Sequence, residues 1–234
     1  MKKSCIFRDK NILTGEFGLP LAIDEMIYGG KMKNGFFIEA GSSDGEIGSN
    51  TLYFELHHNW SGLLVEAHPN FFMQSLDKHR NATLVNSCLG IRDKPHFEHF
   101  DLYSASSKTE TMSGIVQEPS ETSFQYQCLP LASLLLAMDN PTVHYFSLDI
   151  EGAELQVLKT IPWNDVDIWV ISVETHLAGE VFPGSRDDII EYMDSVGYDI
   201  ENTWNNGDFT KDDLFIRKDI QLQMKDSEKK KLEL

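Results

Sequence analysis

Short apolar runs alternate with amphipathic stretches along most of the chain, the pattern of strands and helices taking turns in a parallel sheet. Leu19 to Tyr28 sets Ile23, Met26 and Ile27 at helical spacing and stops at Gly29-Gly30, which predicts a leading helix packed on that sheet. Phe36, Phe37 and Ile38 then read as a buried parallel strand, and Asn50 or Thr51 opens a helix. A second apolar run, GLLVEAHP from Gly62 to Pro69, predicts a second strand, followed by a helix over Pro69 to His79 because proline suits a first helical turn. Ala82 to Leu89 reads as a third strand.

From Ile91 to Leu131 the alternation breaks. HFEHFD and FQYQCL read as two short alternating strands around a polar stretch, an inserted hairpin within residues 91–130. Tyr103 to Ser123, rich in Ser, Thr and Glu, is expected to form either a lid over the substrate or a mobile surface loop. Leu131, Leu134, Leu135 and Met138 make the apolar stripe of a core helix, which Asn140-Pro141 ends before a strand over Val143 to Leu148. Gly152 to Thr160 then predicts a helix burying Leu155 and Leu158, and Ile168 to Val173 a buried strand. Ser185 to Val196 predicts a helix with Ser185 and Asp188 in capping-box-like spacing and Gly197 as its stop. Tyr198 to Trp204 and Leu214 to Arg217 flank the turn-rich Asn205-Asn206-Gly207, the mark of a terminal antiparallel pair. The expected organisation is an N-terminal segment with a leading helix (1–32), one α/β domain (33–217) and a charged tail ending DSEKKKLEL (218–234). The domain carries a mostly parallel, doubly wound sheet with a C-terminal antiparallel hairpin.

The chemistry concentrates where the first strand ends. FFIEAGSSDGEIGSNT runs from Phe36 through Glu39 into a loop built around Gly41, Gly45 and Gly48, with Ser42, Asp44 and Glu46 between them and Asn50 and Thr51 at its exit. Such a loop suits close approach of a ligand to the backbone. A pyrophosphate wants backbone amides and positive partial charge, so Glu39, Asp44 and Glu46 disfavour a dinucleotide. They tolerate a cofactor with a sulfonium and an ammonium group, which points to S-adenosylmethionine with Glu39 meeting the ammonium end. The alternative is that Glu39 is a strand-end carboxylate satisfied by loop amides. Glu66, with Ala67 beside it, lies about 20 residues past the loop, where a ribose-binding carboxylate belongs. Asn86, Ser87 and Cys88 either face an adenine ring or simply end a strand.

Ligands of open parallel sheets bind beyond the carboxyl ends of the strands, and there the chain gathers Asp149, Glu151, Glu174 and His176. Methyl transfer needs alignment and removal of a hydroxyl proton, for which Asp149 and His176 are the candidate bases, with Glu151 and Glu174 as acidic neighbours. Asp149, Glu151 and Glu154 serve equally as negative charge at a helix start. No His-Glu-x-x-His occurs; a hard cation on Asp149, Glu151, Glu174 and His176 is the weaker reading, and no metal site is assigned.

The blocks FFIEAGSSDGEIGSNT, LLVEAHPNFF from Leu63 and YFSLDIEGAELQVL from Tyr145, followed by VISVETH from Val170 and DDLFIRK from Asp212, resemble the FkbM-like S-adenosylmethionine-dependent methyltransferases in order and spacing. That resemblance implies a Rossmann-like class I methyltransferase domain and O-methylation of a hydroxyl on a small molecule or glycan. It also implies that Asp149 and Glu151 match the family's acidic pair. A non-catalytic member serving as a binding or trafficking module is the rival expectation. A nicotinamide-dependent oxidoreductase is disfavoured by the acidic loop.

Composition narrows the partners. Lys plus Arg number 20 against 37 Asp plus Glu, and the net charge of -17 opposes binding to nucleic acid. Cys5, Cys88 and Cys128 form neither a Cys-x-x-Cys pair nor a dense disulfide pattern, so a reducing compartment is the default. With no signal-peptide pattern and no apolar membrane span, a cytoplasmic location is expected; oligomeric state stays open.

Overall fold

The computed structural model describes Gly15 and residues 18–101, 113–121, 123–205 and 211–224. Cys5, most of Tyr103 to Ser123, the Asn206-Gly207 turn and the DSEKKKLEL tail lie outside the described residues. The strands are β1 (Phe36–Ala40), β2 (Ser61–Val65), β3 (Ala82–Val85), β4 (Cys88–Leu89), β5 (His96–Asp101), β6 (Gly114–Ile115), β7 (Phe124–Leu129), β8 (Val143–Leu148), β9 (Ile168–Glu174), β10 (Tyr198–Asn205) and β11 (Lys211–Arg217). The α-helices include α1 (Leu19–Ile23), α2 (Leu52–His58), α3 (Pro69–Leu76), α4 (Leu131–Ala137), α5 (Glu154–Leu158) and α6 (Arg186–Ser195), and residues 218–224 are also helical.

Seven strands form the main sheet in the order β10-β11-β9-β8-β1-β2-β3. The β3, β2, β1, β8 and β9 neighbours pair parallel, and β11 pairs antiparallel with β9 and β10. Chain direction across the sheet reverses between β1 and β8, so the crevice at their carboxyl ends is the switch point where ligands of this architecture bind.

Adjacent residues of each central strand face opposite layers, as the two-residue strand period requires. Ile38, Leu63, Phe146, Ile171 and Phe215 pack with Leu135, Val157 and Met193 of α4, α5 and α6. Their neighbours Phe37, Leu64, Tyr145, Val170 and Leu214 pack on the other side with Leu19, Ile23, Phe54 and Trp60. Burial on both faces explains why these strands read as continuous apolar runs.

Three elements depart from the sequence expectation. The leading helix passes at Asp24 into a π-helical turn, Asp24–Tyr28, so Ile23 is buried while Met26 is 41% exposed. The wider turn aims Asp24 inward, where its carboxylate meets His58 Nε2 at 2.7 Å and the Tyr53 hydroxyl at 3.0 Å. The helix expected from Gly152 starts only at Glu154, because Glu151 (φ 62°) and Gly152 (φ 100°) are left-handed and cannot belong to it. The third strand breaks at Asn86-Ser87. Its second half, β4, leaves the main sheet and pairs parallel with β7.

β4 thereby founds a second, four-stranded sheet in the order β4-β7-β5-β6. HFEHFD and FQYQCL pair antiparallel, His96 opposite Cys128 and Phe100 opposite Phe124. Cys88 and Cys128, 40 residues apart and opposite each other in the β4–β7 ladder, are disulfide-bonded. Nothing in the cysteine spacing signals this pair, and a disulfide belongs to oxidising surroundings, so the cysteine count no longer argues for a reducing compartment. Among the described residues no helix is long and apolar enough to cross a membrane.

Candidate active site

Glu39 sits at the end of β1 and is 4% exposed. Its Oε1 accepts the Asn50 amide at 2.6 Å, and its Oε2 accepts the hydroxyls of Ser49 at 2.8 Å and Thr51 at 2.7 Å. The carboxylate therefore folds the glycine loop around itself, the alternative role weighed for it above. Burial pushes its pKa up, opposed by the nearby Arg80 guanidinium and by those hydrogen bonds.

Arg80, just beyond α3, escaped the sequence reading. Its side chain is buried, pairs with Glu55 at 2.6 Å, and donates to Ser49 Oγ, Thr51 Oγ1 and the Gly45 carbonyl. A lone arginine downstream of an acid-rich loop is the one signal that pointed to it. Asp44 is likewise committed: its Oδ1 accepts the amides of Glu46 and Ile47 at 2.9 and 2.8 Å, and its Oδ2 meets Lys78 at 2.9 Å. Burial alone pushes its carboxyl up, but Lys78 and the two amides outweigh that and hold it below the usual range. Lys78 also reaches Glu46 at 3.3 Å. The loop's acids are thus partly offset, Lys78 being shared by Asp44 and Glu46 and Arg80 by Glu55 and Glu39.

A dinucleotide is disfavoured on other grounds. Three amides at the start of α2 are spent within the chain, Asn50 on Glu39 and both Thr51 and Leu52 on Ser49 Oγ, and are not open to a phosphate.

Gly41 is where β1 and β8 converge. Its φ is 82°, and a Cβ there would lie 1.8 Å from the Asp149 carbonyl oxygen, so only glycine lets the two strand ends meet. Asp149 N donates to Ala40 O at 3.1 Å, and the Asn50 side chain bridges to Ser147 on β8 at 3.2 Å. Ser42 is 3% exposed, and its hydroxyl has no hydrogen-bond partner among the described residues.

Glu66, at the end of β2 and 7% exposed, receives the Ser43 amide on Oε2 and the His68 amide on Oε1, both at 2.6 Å. Burial pushes its pKa up to about 7, against the pull of those two amides and with a further push from the Glu39 charge. Asn86 fastens the next peptide, its Nδ2 donating to the carbonyls of Glu66 at 2.8 Å and Ala67 at 3.3 Å. Ser87, 2% exposed, has an unpartnered hydroxyl among the described residues. Cys88 offers no thiol, because its sulfur is bonded to Cys128; the expected contact of Cys88 with an adenine ring is reduced to its backbone. A polar ligand at this rim supplies what the Ser42 and Ser87 hydroxyls lack, so these residues fit an adenosine.

Across the switch point, carboxylate oxygens of Asp149, Glu154 and Glu174 lie within 4.8 Å of one another. Glu154 Oε1 accepts the amides of Ile150 at 2.9 Å and Gly152 at 3.1 Å, which ties down the left-handed turn before α5, and burial pushes its pKa up. Glu154 is the member of this cluster that the sequence assigned only to a helix start. Glu151, on the left-handed turn, is half-buried and stands outside the three-acid group. His176 is exposed on the turn after β9, also outside it, so the structure does not bring this candidate base to the acids. Asp212, opposite Glu174 in the β9–β11 ladder, is a further buried carboxyl, pushed up to about 6 by burial and by Asp213.

Residues 39–200 match the model of the methyltransferase FkbM domain. No curated protein matches the chain by sequence. Among solved structures the fold is similar to methyltransferase FkbM from Methylobacillus flagellatus KT, with a TM-score of 0.56, 12% identity and 89% of this chain covered. That alignment takes in 48% of the bacterial protein, so this chain spans about half its length. The methyltransferase domain of METTL16 is similar with a TM-score of 0.52, 12% identity, and coverage of 90% of this chain and 70% of that one. The family match extends from Glu39 through both acid clusters to β10, and on it the chain belongs to the FkbM methyltransferase family, with a class I α/β fold and S-adenosylmethionine as its cofactor.

Proposed function

We propose that the protein transfers a methyl group from S-adenosylmethionine to a hydroxyl oxygen of a small molecule or glycan. The observation that supports this reading is the convergence of Asp149, Glu154 and Glu174 at the carboxyl ends of the central strands. The donor, when bound, supplies an electrophilic methyl on a sulfonium. The chain's residues do the rest. Glu66 accepts the ribose hydroxyls, Ser87 and the backbone around Cys88 border the adenine, and Gly41 lets the donor lie close over the loop. Asp149, half-buried and at the mouth of the cluster, takes the hydroxyl proton. Three carboxyls so close resist carrying three charges, which makes the group a proton acceptor as a unit.

The test is methyl transfer from labelled donor into a panel of hydroxylated metabolites and glycans. Wild-type protein is expected to label an oxygen. Asp149→Ala is expected to lose transfer while keeping affinity for S-adenosylhomocysteine within about threefold, since it removes a transition-state role rather than a binding one. Labelling confined to nitrogen acceptors, or full turnover by the alanine variant, refutes the assignment.

A further inference from the structure

Register extends the acid group beyond Asp149, Glu154 and Glu174. Glu174 closes β9, and Asp212 stands directly opposite it in the antiparallel β9–β11 ladder. Asp149 lies one residue past the Leu148–Val173 rung that joins β8 to β9, so Asp149, Glu174 and Asp212 form one row across three neighbouring strands. Tyr145, Val170 and Leu214 pack in a single layer, and even spacing from them puts all three acids on that same face of the sheet. Neighbours in the row are one strand spacing apart, about 5 Å.

Asp212 differs from the other buried acids of the site. Glu39, Asp44, Glu66 and Glu154 each accept hydrogen bonds from amides of the chain. The Asp212 carboxyl is 3% exposed, yet among the described residues it accepts no hydrogen bond and meets no cation. The nearby Arg186 is spent on Asp213, which faces the other layer and also holds Thr175 and Thr203. Like charges directly opposite in a ladder are destabilising, and a buried carboxylate without a donor is costly. A fold that keeps both penalties at one residue holds that residue for a ligand.

Strand order says which ligand. The donor reading sets the ribose at Glu66 after β2 and the loop floor at Gly41 after β1, whereas β11 is three strands from β1, roughly 14 Å across the sheet. Asp212 is therefore on the acceptor's side, two strands beyond Asp149. A neutral hydroxyl there gives Asp212 one hydrogen bond and leaves it facing Glu174. An ammonium group gives it charged N–H donors and offsets both carboxyls at once.

We propose that Asp212, with Glu174 beside it, binds a protonated amine of the acceptor, so that the substrate carries an ammonium group about 5 to 10 Å from the hydroxyl methylated at Asp149. This inference rests on the reading of Asp149 as the methyl-transfer end of the row.

Two probes test it: the straight-chain five-carbon α,ω-amino alcohol and the matching α,ω-diol, titrated by calorimetry into the full chain loaded with S-adenosylhomocysteine. Wild-type protein is expected to bind the amino alcohol at least about tenfold more tightly than the diol, a margin that charge-assisted hydrogen bonding supplies. Asp212→Asn is expected to cut that preference below about threefold while affinity for S-adenosylhomocysteine stays within about twofold. Its ligand-free melting midpoint is expected not to fall, because the change removes an unpaired buried charge. Asp212→Ser stands in should Asp212→Asn fold poorly. A preference that survives in these variants, equal binding of the two probes, or binding of neither overturns the inference. The labelling panel separates its failure from that of the hydroxyl reading. Oxygen labelling of acceptors without an amine at the rate of their amino counterparts overturns the amine site alone, whereas labelling confined to nitrogen overturns the hydroxyl reading.

Discussion

Glu66 gives the sharpest prediction because its environment makes its charge conditional near neutral pH. Its pKa is pushed from 4.5 to about 7, so ionising it in the folded protein costs roughly 3 kcal/mol more than in an unfolded chain. The sign follows: between these two values the folded state holds a proton that the unfolded state has released. This group's contribution therefore makes the ligand-free protein less stable as pH rises from 4.5 toward 7. On the proposed ribose contact the preference reverses, because two hydroxyls would donate to the charged carboxylate. If the ionised form is the one that binds, about a tenth of the protein is competent at about pH 6 and about nine tenths at about pH 8, and apparent affinity scales with that fraction. The dissociation constant of S-adenosylhomocysteine is therefore expected to fall about tenfold over that range, with about one proton released per binding event near pH 6. Calorimetry in buffers of different ionisation enthalpy reads both quantities. Glu66→Gln, neutral at every pH, is expected to flatten the profile and abolish the proton release. A flat wild-type profile, or a slope that survives in Glu66→Gln, refutes the reasoning.

Arg80→Met is expected to destabilise the protein by about 3 to 5 kcal/mol in denaturant melts, because it strips the buried Glu55 and Glu39 of their cation; a loss under about 1 kcal/mol shows that the loop does not depend on that charge. Reduction of the Cys88–Cys128 bond is expected to lower stability by about 2 to 4 kcal/mol, and a Cys88→Ala, Cys128→Ala protein should have a midpoint that reductant does not move. Transfer is expected to persist in excess chelator, whereas loss restored by magnesium would assign a hard cation to Asp149, Glu154 and Glu174.

The main sheet was legible because its signals are local. Apolar runs buried on two faces, Pro69 at a first helical turn and the Ser185–Asp188 capping box each carry their own geometry, and the capping box forms in full, with both reciprocal hydrogen bonds present. What was not legible depends on partners distant in sequence. Ala82 to Leu89 reads as one strand until Cys88 is seen to pair with Cys128, a choice made by a segment 40 residues downstream. The false helix start at Gly152 has a local cause instead. Glu154 reaches back to the Ile150 and Gly152 amides and stabilises a left-handed turn that intrinsic preference disfavours. Arg80 carries no motif at all; its role arises only once the segment after α3 is folded against the glycine loop.

The acidic glycine loop shows how a correct conclusion can rest on a further force besides the one first argued. Read as bare charges, Glu39, Asp44 and Glu46 repel phosphate and welcome a cation. Folded, Asp44 and Glu46 meet Lys78, while Glu39 is buried beside Arg80 and bound by the Asn50 amide and two hydroxyls. Two cations shared among four carboxyls, Glu55 included, reduce the loop's field on a ligand without cancelling it. Donor supply adds to what charge remains in disfavouring a dinucleotide: the acids and Ser49 take five amides that a pyrophosphate would otherwise use. Across the crevice Asp149, Glu154 and Glu174 crowd together and add further negative charge to the site. On the proposed function that group accepts the hydroxyl proton, and the glycine loop shapes the floor on which the donor lies.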